Sequence, residues 1–191
     1  MPMNVTPKGN KINTHLDKPK PNLYTGTFIV SKYINHPLLI AGRKFDLRLY
    51  VLVTSFNPLV AYLHEEGFAR FCATVYQPHH YGDTDLSAHL TNVALQKHKS
   101  NYNIQHGGKL SWANVVLYVA SHYGDYVATG LRQSVSFLIY HSLRAMESVM
   151  HNDTHSFELY GYDILLDNRI QPHLIEVNAS PSFSTTTHAD R

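Results

Sequence analysis

The sequence predicts an α+β fold, a mostly antiparallel sheet with packed helices. Three features point there. Charged and apolar residues alternate strictly at the start of residues 44–55. Apolar residues between about 126 and 150 recur at helical spacing. Two β-prone runs within 157–181 are joined by the polar turn Asp167-Asn168-Arg169. Strands, then helices, then a hairpin is the order of an α+β domain rather than of alternating parallel units.

In chain order, residues 1–27 are rich in Lys, Pro and Asn without periodicity, and are expected to form a basic, poorly ordered lead-in to a domain over 28–191. Residues 28–34 make a short strand, and Asn35-His-Pro37 with Ala41-Gly42 bracket a loop before the alternating run. Asn57-Pro58 turns the chain into a strand over 59–64, and Glu65-Glu66-Gly67 turns it again into 68–76. That predicts a three-stranded meander with Arg70 in its last strand. Residues 77–87 are loop-like, and His89-Leu-Thr-Asn92 has no clear element type. Gly107-Gly108 breaks the chain before Ser111, a helix N-cap, and that helix runs to about Tyr123 and stops at Gly124. A second, long helix over about 126–150 carries Leu131, Val135, Leu138, Ile139, Leu143, Met146, Val149 and Met150 on one face.

Composition sets bounds on function. At 191 residues with 43% hydrophobic, the chain can build one domain with a real core. A net charge of +2 gives no reason to expect nucleic acid, and Lys8, Lys11, Lys18 and Lys20 against Asp17 concentrate the positive charge in the lead-in. The single cysteine, Cys72, excludes an internal disulfide. No apolar run reaches the length of a membrane span, and the polar N-terminus lacks a signal-peptide core, so a cytosolic protein is expected. Fourteen histidines raise the question of zinc. His151 and His155 lack the glutamate of the zinc-protease helix, and no cysteine pair accompanies a histidine cluster, so a histidine metal site is not expected.

Two charged faces carry the chemistry. Lys44, Asp46 and Arg48 share one side of their strand, and Phe45, Leu47, Leu49, Val51 and Val53 share the other. In the hairpin, an even loop such as a two-residue turn at Asn168-Arg169 sets Asp163 opposite residue 174 and diagonal to Glu176. Asp163, Glu176 and Asn178 then share a face. An odd loop throws the carboxylates apart unless a bulge, for example at Pro172, shifts the register. Hard oxygens in that grouping suit Mg²⁺, and cations beside them suit phosphate or carboxylate oxygens. Solvated outer faces of a sheet produce the same patterns, and local pattern leaves both readings open.

Five segments in order add a resemblance: Gly42-Arg-Lys-Phe-Asp-Leu-Arg-Leu-Tyr-Val-Leu-Val53, Glu66-Gly-Phe-Ala-Arg-Phe71, His89-Leu-Thr-Asn92, Phe157-Glu-Leu-Tyr-Gly-Tyr-Asp163 and Leu174-Ile-Glu-Val-Asn-Ala-Ser-Pro-Ser182. Together, over about residues 28–190, they resemble the motifs of the tubulin–tyrosine ligase-like family, and most of all those of its tubulin polyglutamylases. The resemblance implies an ATP-grasp fold, ATP with two magnesium ions, and transfer of glutamate onto glutamate side chains of tubulin through an acyl phosphate. Adenine is implied against residues 30–34, which include Lys32, Tyr33 and Ile34. Lys44 would contact phosphate and Asp46 would help hold the nucleotide. His89, Thr91 and Asn92 would line the ribose and phosphates, Arg48 and Arg70 would face the reacting carboxylate and the acceptor, and Asp163, Glu176 and Asn178 would bind magnesium.

The implied partners are the acidic C-terminal tails of tubulin, free glutamate and accessory subunits, with no nucleic acid and no membrane. The implied location is the cytoplasm and cytoskeleton, extending to the cilium, flagellum or basal body. Members of the family carry an N-terminal domain and a lysine- and glycine-containing phosphate loop upstream. Residues 1–27 are too short for either, and Pro7-Lys-Gly-Asn-Lys11 only echoes the loop, so the N-terminal part of the family fold is expected to be missing. An inactive ATP-grasp module that binds nucleotide, tubulin or a partner subunit is therefore the alternative to an active ligase. Glycine or tyrosine is the alternative to glutamate as the added residue.

Overall fold

The computed structural model describes residues 3–7, 28–77, 88–91, 108–150, 153 and 155–181. Its main sheet is antiparallel throughout. The strands are β3 (Leu39–Ile40), β4 (Arg43–Phe56), β5 (Leu59–Phe71), β6 (Lys109–Ser111), β7 (Glu158–Leu166) and β8 (Pro172–Ala179), in the order β6-β5-β4-β7-β8 with β3 paired to β4. Two helices, α1 (Trp112–Tyr123) and α2 (Asp125–Met146), complete the α+β architecture. A separate two-stranded sheet pairs β1 (Met3–Pro7) with β2 (Phe28–Lys32). Met3–Pro7 is thus a strand where the sequence led us to expect only lead-in, because pairing to β2 supplies order that its own polar, proline-containing sequence does not announce.

The alternation of β4 divides the sheet into a helix-covered face and a second face that bears no helix among the described residues, the open face. Phe45, Leu47, Leu49, Val51 and Val53 are almost completely buried in one core with Val115, Val119, Leu131, Val135, Ile139 and Leu143 of the helices. Burying each such side chain contributes roughly 1.5–3 kcal/mol before entropy is counted. Ser111 caps α1 by accepting the Asn114 N–H at 3.2 Å, and Gly124, at φ 93°, separates the helices. The second helix ends at Met146, four residues short of the sequence expectation, so Val149 lies beyond it and is 73% exposed. Tyr162 of β7 is buried against α2. Ser142 Oγ donates its one proton to Ile139 O, so the 2.8 Å contact between the two hydroxyls is a donation from Tyr162.

Glu65-Glu66-Gly67 is not a turn, and no third meander strand follows it. β5 runs unbroken from Leu59 to Phe71, and a register shift against β4 between Leu49 and Val51 absorbs His64, Glu65 and Glu66 as a bulge. Only glycine fits at position 67 of this strand, because any Cβ there would stand 2.5 Å from Leu49 Cδ2 and 2.8 Å from Arg48 O.

Of the two loop parities open for the β7–β8 hairpin, the odd one is realised. The Asp167 N–H donates to Gln171 O at 3.0 Å and the Ile170 N–H to Asp167 O at 2.8 Å, leaving the odd loop Asn168-Arg169-Ile170. Asp167 Oδ1 accepts the Arg169 and Gln171 N–H groups at 2.9 Å each, which ties the loop to a buried carboxylate. Ile170 takes the left-handed conformation at φ 63° while its side chain is buried in the core.

Candidate functional site

The open face of the sheet gathers the charged positions. Going outward from β4, Asp46 is paired with Arg70 of β5, Arg48 with Asp163 of β7, and Asp163 in turn with Glu176 of β8. From the loop alone, the odd connection would set Glu176 on the helix side. A register shift between Asp163 and Ile164 leaves Ile175 as an extra residue on β8, and that bulge returns Glu176, and Asn178 opposite Gly161, to the open face. The bulge falls at Ile175 rather than at Pro172.

The side chains form one connected network. Arg70 makes a bidentate pair with Asp46 at 2.7 Å for both contacts, and its Nη2 also lies 2.8 Å from Asp163 Oδ2. Arg48 grips the same aspartate, Nε to Oδ1 at 2.5 Å and Nη2 to Oδ2 at 3.0 Å. Thr91 Oγ1 donates to Asp46 Oδ2 at 2.6 Å. Asn178 Nδ2 reaches Glu176 Oε1 at 3.2 Å and Asp163 Oδ2 at 3.4 Å. Lys44 is 8% exposed; its Nζ donates to His89 O at 2.8 Å and to Tyr33 Oη at 3.4 Å, and lies 4.8 Å from the Tyr33 ring centroid. Tyr33 Oη and His89 Nδ1 are hydrogen-bonded at 2.8 Å, and Tyr76 packs edge-on against the His89 ring, their centroids 5.5 Å apart.

Electrostatics separates the two facing carboxylates. Burial alone would raise the Asp163 pKa, but the hydrogen bonds and charges of Arg48 and Arg70 outweigh it and hold the group below the usual range. Glu176 moves the other way, raised by partial burial of its carboxyl group, by a hydrogen bond with Asp163 and by that neighbour's charge. For Arg70, burial opposes the charge, yet the bonds and charges of Asp46 and Asp163 raise its pKa further. Lys44 is lowered by burial, partly countered by Cys72 and Asp46. Burial pushes the Cys72 thiol up to about 12, so it is a protonated packing residue at neutral pH and not a nucleophile.

Of the residues singled out from the sequence, Tyr33, Lys44, Asp46, Arg48, Arg70, His89, Thr91, Asp163, Glu176 and Asn178 all meet on this face. Lys32 is exposed at the end of β2, Ile34 is half-buried beyond it, and Asn92 lies outside the described residues. Gly161 escaped notice. A Cβ there would stand 3.0 Å from Pro181 Cβ and 3.3 Å from Arg48 Cδ, so the missing side chain is what lets Arg48 lie across β7 to Asp163. An isolated glycine inside a strand pattern, as in Tyr160-Gly161-Tyr162, was the available signal.

Asp163, Glu176 and Asn178 offer hard oxygens of the kind Mg²⁺ takes. In this arrangement Arg48 and Arg70 engage both Asp163 oxygens and Asn178 turns its Nδ2 toward both carboxylates, so these side chains would have to turn to admit the ion. Among the described residues no group of three or more His, Cys, Asp or Glu side chains is placed to hold a metal alone. An amide or substrate oxygens would have to complete such a site.

The family described as "Tubulin-tyrosine ligase family" matches residues 4–191. The chain is 45% identical over 164 residues to "Probable alpha-tubulin polyglutamylase Ttll1" of Tetrahymena thermophila, an alignment covering 86% of this chain and 40% of that protein. It is 40% identical over 187 residues to "Probable tubulin polyglutamylase TTLL9" of Mus musculus, covering 98% of this chain and 40% of that protein. It is 36% identical over 177 residues to "Tubulin polyglutamylase TTLL6" of Homo sapiens, covering 85% of this chain and 20% of that protein. The chain thus spans at most about two fifths of the length of these relatives.

Proposed function

The chain belongs to the tubulin-tyrosine ligase family, and from that premise we propose that it carries the core of an ATP-dependent ligase of ATP-grasp type that adds glutamate to glutamate side chains in tubulin tails. The observation that carries the reading is the Asp46–Arg70–Asp163–Arg48 network, flanked by Lys44 on one side and Glu176 and Asn178 on the other. Lys44, Arg48 and Arg70 balance Asp46, Asp163 and Glu176 in number. Such a face holds anions through positioned cations without accumulating net charge.

In the reaction we propose, a phosphoryl group passes from ATP to a side-chain carboxylate, giving ADP and an acyl phosphate. The amine of the incoming glutamate attacks the acyl carbon, the C–O bond to phosphate breaks, and phosphate and a proton leave. No side-chain nucleophile is needed, which agrees with the inert state of Cys72. Lys44 would bind phosphate oxygen. Arg48 and Arg70, locked in place by Asp46 and Asp163, would hold the reacting carboxylates. Tyr33, His89 and Thr91 would line the nucleotide. Asp163, Glu176 and Asn178 would hold magnesium, which when bound neutralises charge on the transferring phosphoryl group.

The test is to incubate the chain with tubulin, Mg·ATP and either glutamate, glycine or tyrosine, and to read the tails by mass spectrometry. Glutamyl additions that require ATP are expected. Additions with glycine or tyrosine in their place would reassign the donor. No addition with any of the three would sink the ligase reading for this chain.

A further inference from the structure

The turn of the β7–β8 hairpin holds the segment that follows β2. The Asn168 N–H donates to His36 O and the Leu38 N–H to Leu166 O, both at 2.8 Å, and Pro37 is bridged to Asp167. Residues 35–38 therefore lie as a strap against the turn, with Pro37 and Leu38 buried beneath it. At one end of the strap Tyr76 Oη donates to Asn35 O at 3.0 Å, and just before it stands Tyr33, whose hydroxyl meets His89 and Lys44. At the other end Leu39 of β3 is paired directly with Lys44 of β4.

One side chain shapes the turn that makes these contacts. Asp167 is 5% exposed; Oδ1 receives the Arg169 and Gln171 N–H groups, and Oδ2 receives the His173 Nε2–H at 3.1 Å. Those bonds offset the cost of setting Ile170, a β-branched residue, at φ 63°. The Asp167 side chain bonds to the turn and to β8, not to Tyr33 or Lys44, so it reaches them through the strap.

We propose that Asp167 is a positioning residue for nucleotide binding: by fixing the turn it holds the strap, and the strap sets Tyr33 and Lys44 against the nucleotide. The inference rests on the ligase reading above, in which those two residues meet ATP, and deepens it by naming what holds them. One hairpin then carries Asp163 and Glu176 along its strands and the support of the nucleotide wall at its turn.

The test uses the whole chain and Mg·ATP, with titration calorimetry at a temperature where circular dichroism shows each variant folded. Asp167→Ala is expected to weaken Mg·ATP binding about tenfold, the scale of a coupling between distinct sites. Asp167→Asn, whose side-chain oxygen can accept the same two backbone N–H groups, should restore binding. A second measurement needs no variant to fold: coupling is reciprocal, so Mg·ATP should slow hydrogen exchange at the Leu38 and Asn168 amides of the parent severalfold. The inference is overturned if folded Asp167→Ala binds Mg·ATP as tightly as the parent, if Asp167→Asn is as weak as Asp167→Ala, or if Mg·ATP leaves both amides exchanging at their free rates. Any of these results, with Mg·ATP binding intact in the parent, leaves the ligase reading standing; absence of Mg·ATP binding in the parent removes both.

Discussion

Asp163 and Glu176 face each other across the β7–β8 hairpin although the loop joining their strands is odd, because Ile175 is bulged out of the ladder. Deleting Ile175 should therefore leave Leu174 opposite Ile164 and Glu176 opposite Asp163 in a regular ladder. Ile175 is 55% exposed, so the deletion removes no core side chain and should keep magnesium-dependent nucleotide binding. Deleting Val177 instead should carry Asn178 to the helix side and weaken that binding. Calorimetric titration of both deletion variants with Mg·ATP checks the pair.

Glu176→Gln tests the charge itself. Glu176 has its folded pKa raised above 4.5, so it favours folding below that pH and loses the contribution as pH rises through the folded value. Without a cation, the Gln variant should melt at the same temperature as the parent or slightly higher at neutral pH, with a flatter profile above pH 4.5. Magnesium should stabilise the parent more than the variant. Equal stabilisation of the two by magnesium in thermal melts counts against a metal role.

Arg70 is the keystone of two ion pairs that are mostly buried. Arg70→Ala leaves Asp46 and Asp163 facing each other without their shared cation and should cost about 3–5 kcal/mol in urea unfolding. Asp163 contributes stability above its unfolded pKa of 3.8 that is lost as pH falls through its lower folded value. Arg48 still grips Asp163 in the variant, so only part of that acid transition should be lost. Arg70→Lys keeps a charge but not the bidentate geometry, and should recover only part of the stability.

Gly161→Ala should push Arg48 off Asp163 and cost about 1–3 kcal/mol. If the cost runs through Arg48, the same substitution in an Arg48→Ala background should be much milder. A double-mutant cycle measured by denaturant unfolding reads that coupling, and additive effects would mean that Pro181 alone meets the new methyl.

Much of this was legible in the sequence, and the failures share a cause. Alternation in β4 identified both of its faces, and Ser111 with Gly124 fixed the ends of α1, since these signals are local. The sequence makes the face shared by Asp163, Glu176 and Asn178 conditional on loop parity, and with an odd loop the bulge at Ile175 supplies the compensating residue. Bulges leave little local trace, which is also why the unbroken β5 read as two strands around Glu65-Glu66-Gly67. Gly161 leaves no strong local signal because its importance arises from cross-strand neighbours.

The seam between β4 and β7 sets the timing of assembly. β4–β5 and β7–β8 are hairpins that can close locally, whereas Arg48 and Asp163 are 115 residues apart along the chain. Closing that separation has the higher entropic barrier and belongs to the slow, non-local part of folding. A partly folded chain with both hairpins and both helices formed would still lack the Arg48–Asp163 and Arg70–Asp163 contacts. Competence at this face is therefore expected to arise with that long-range docking step, and a refolding experiment should see ligand affinity return only with the slowest phase.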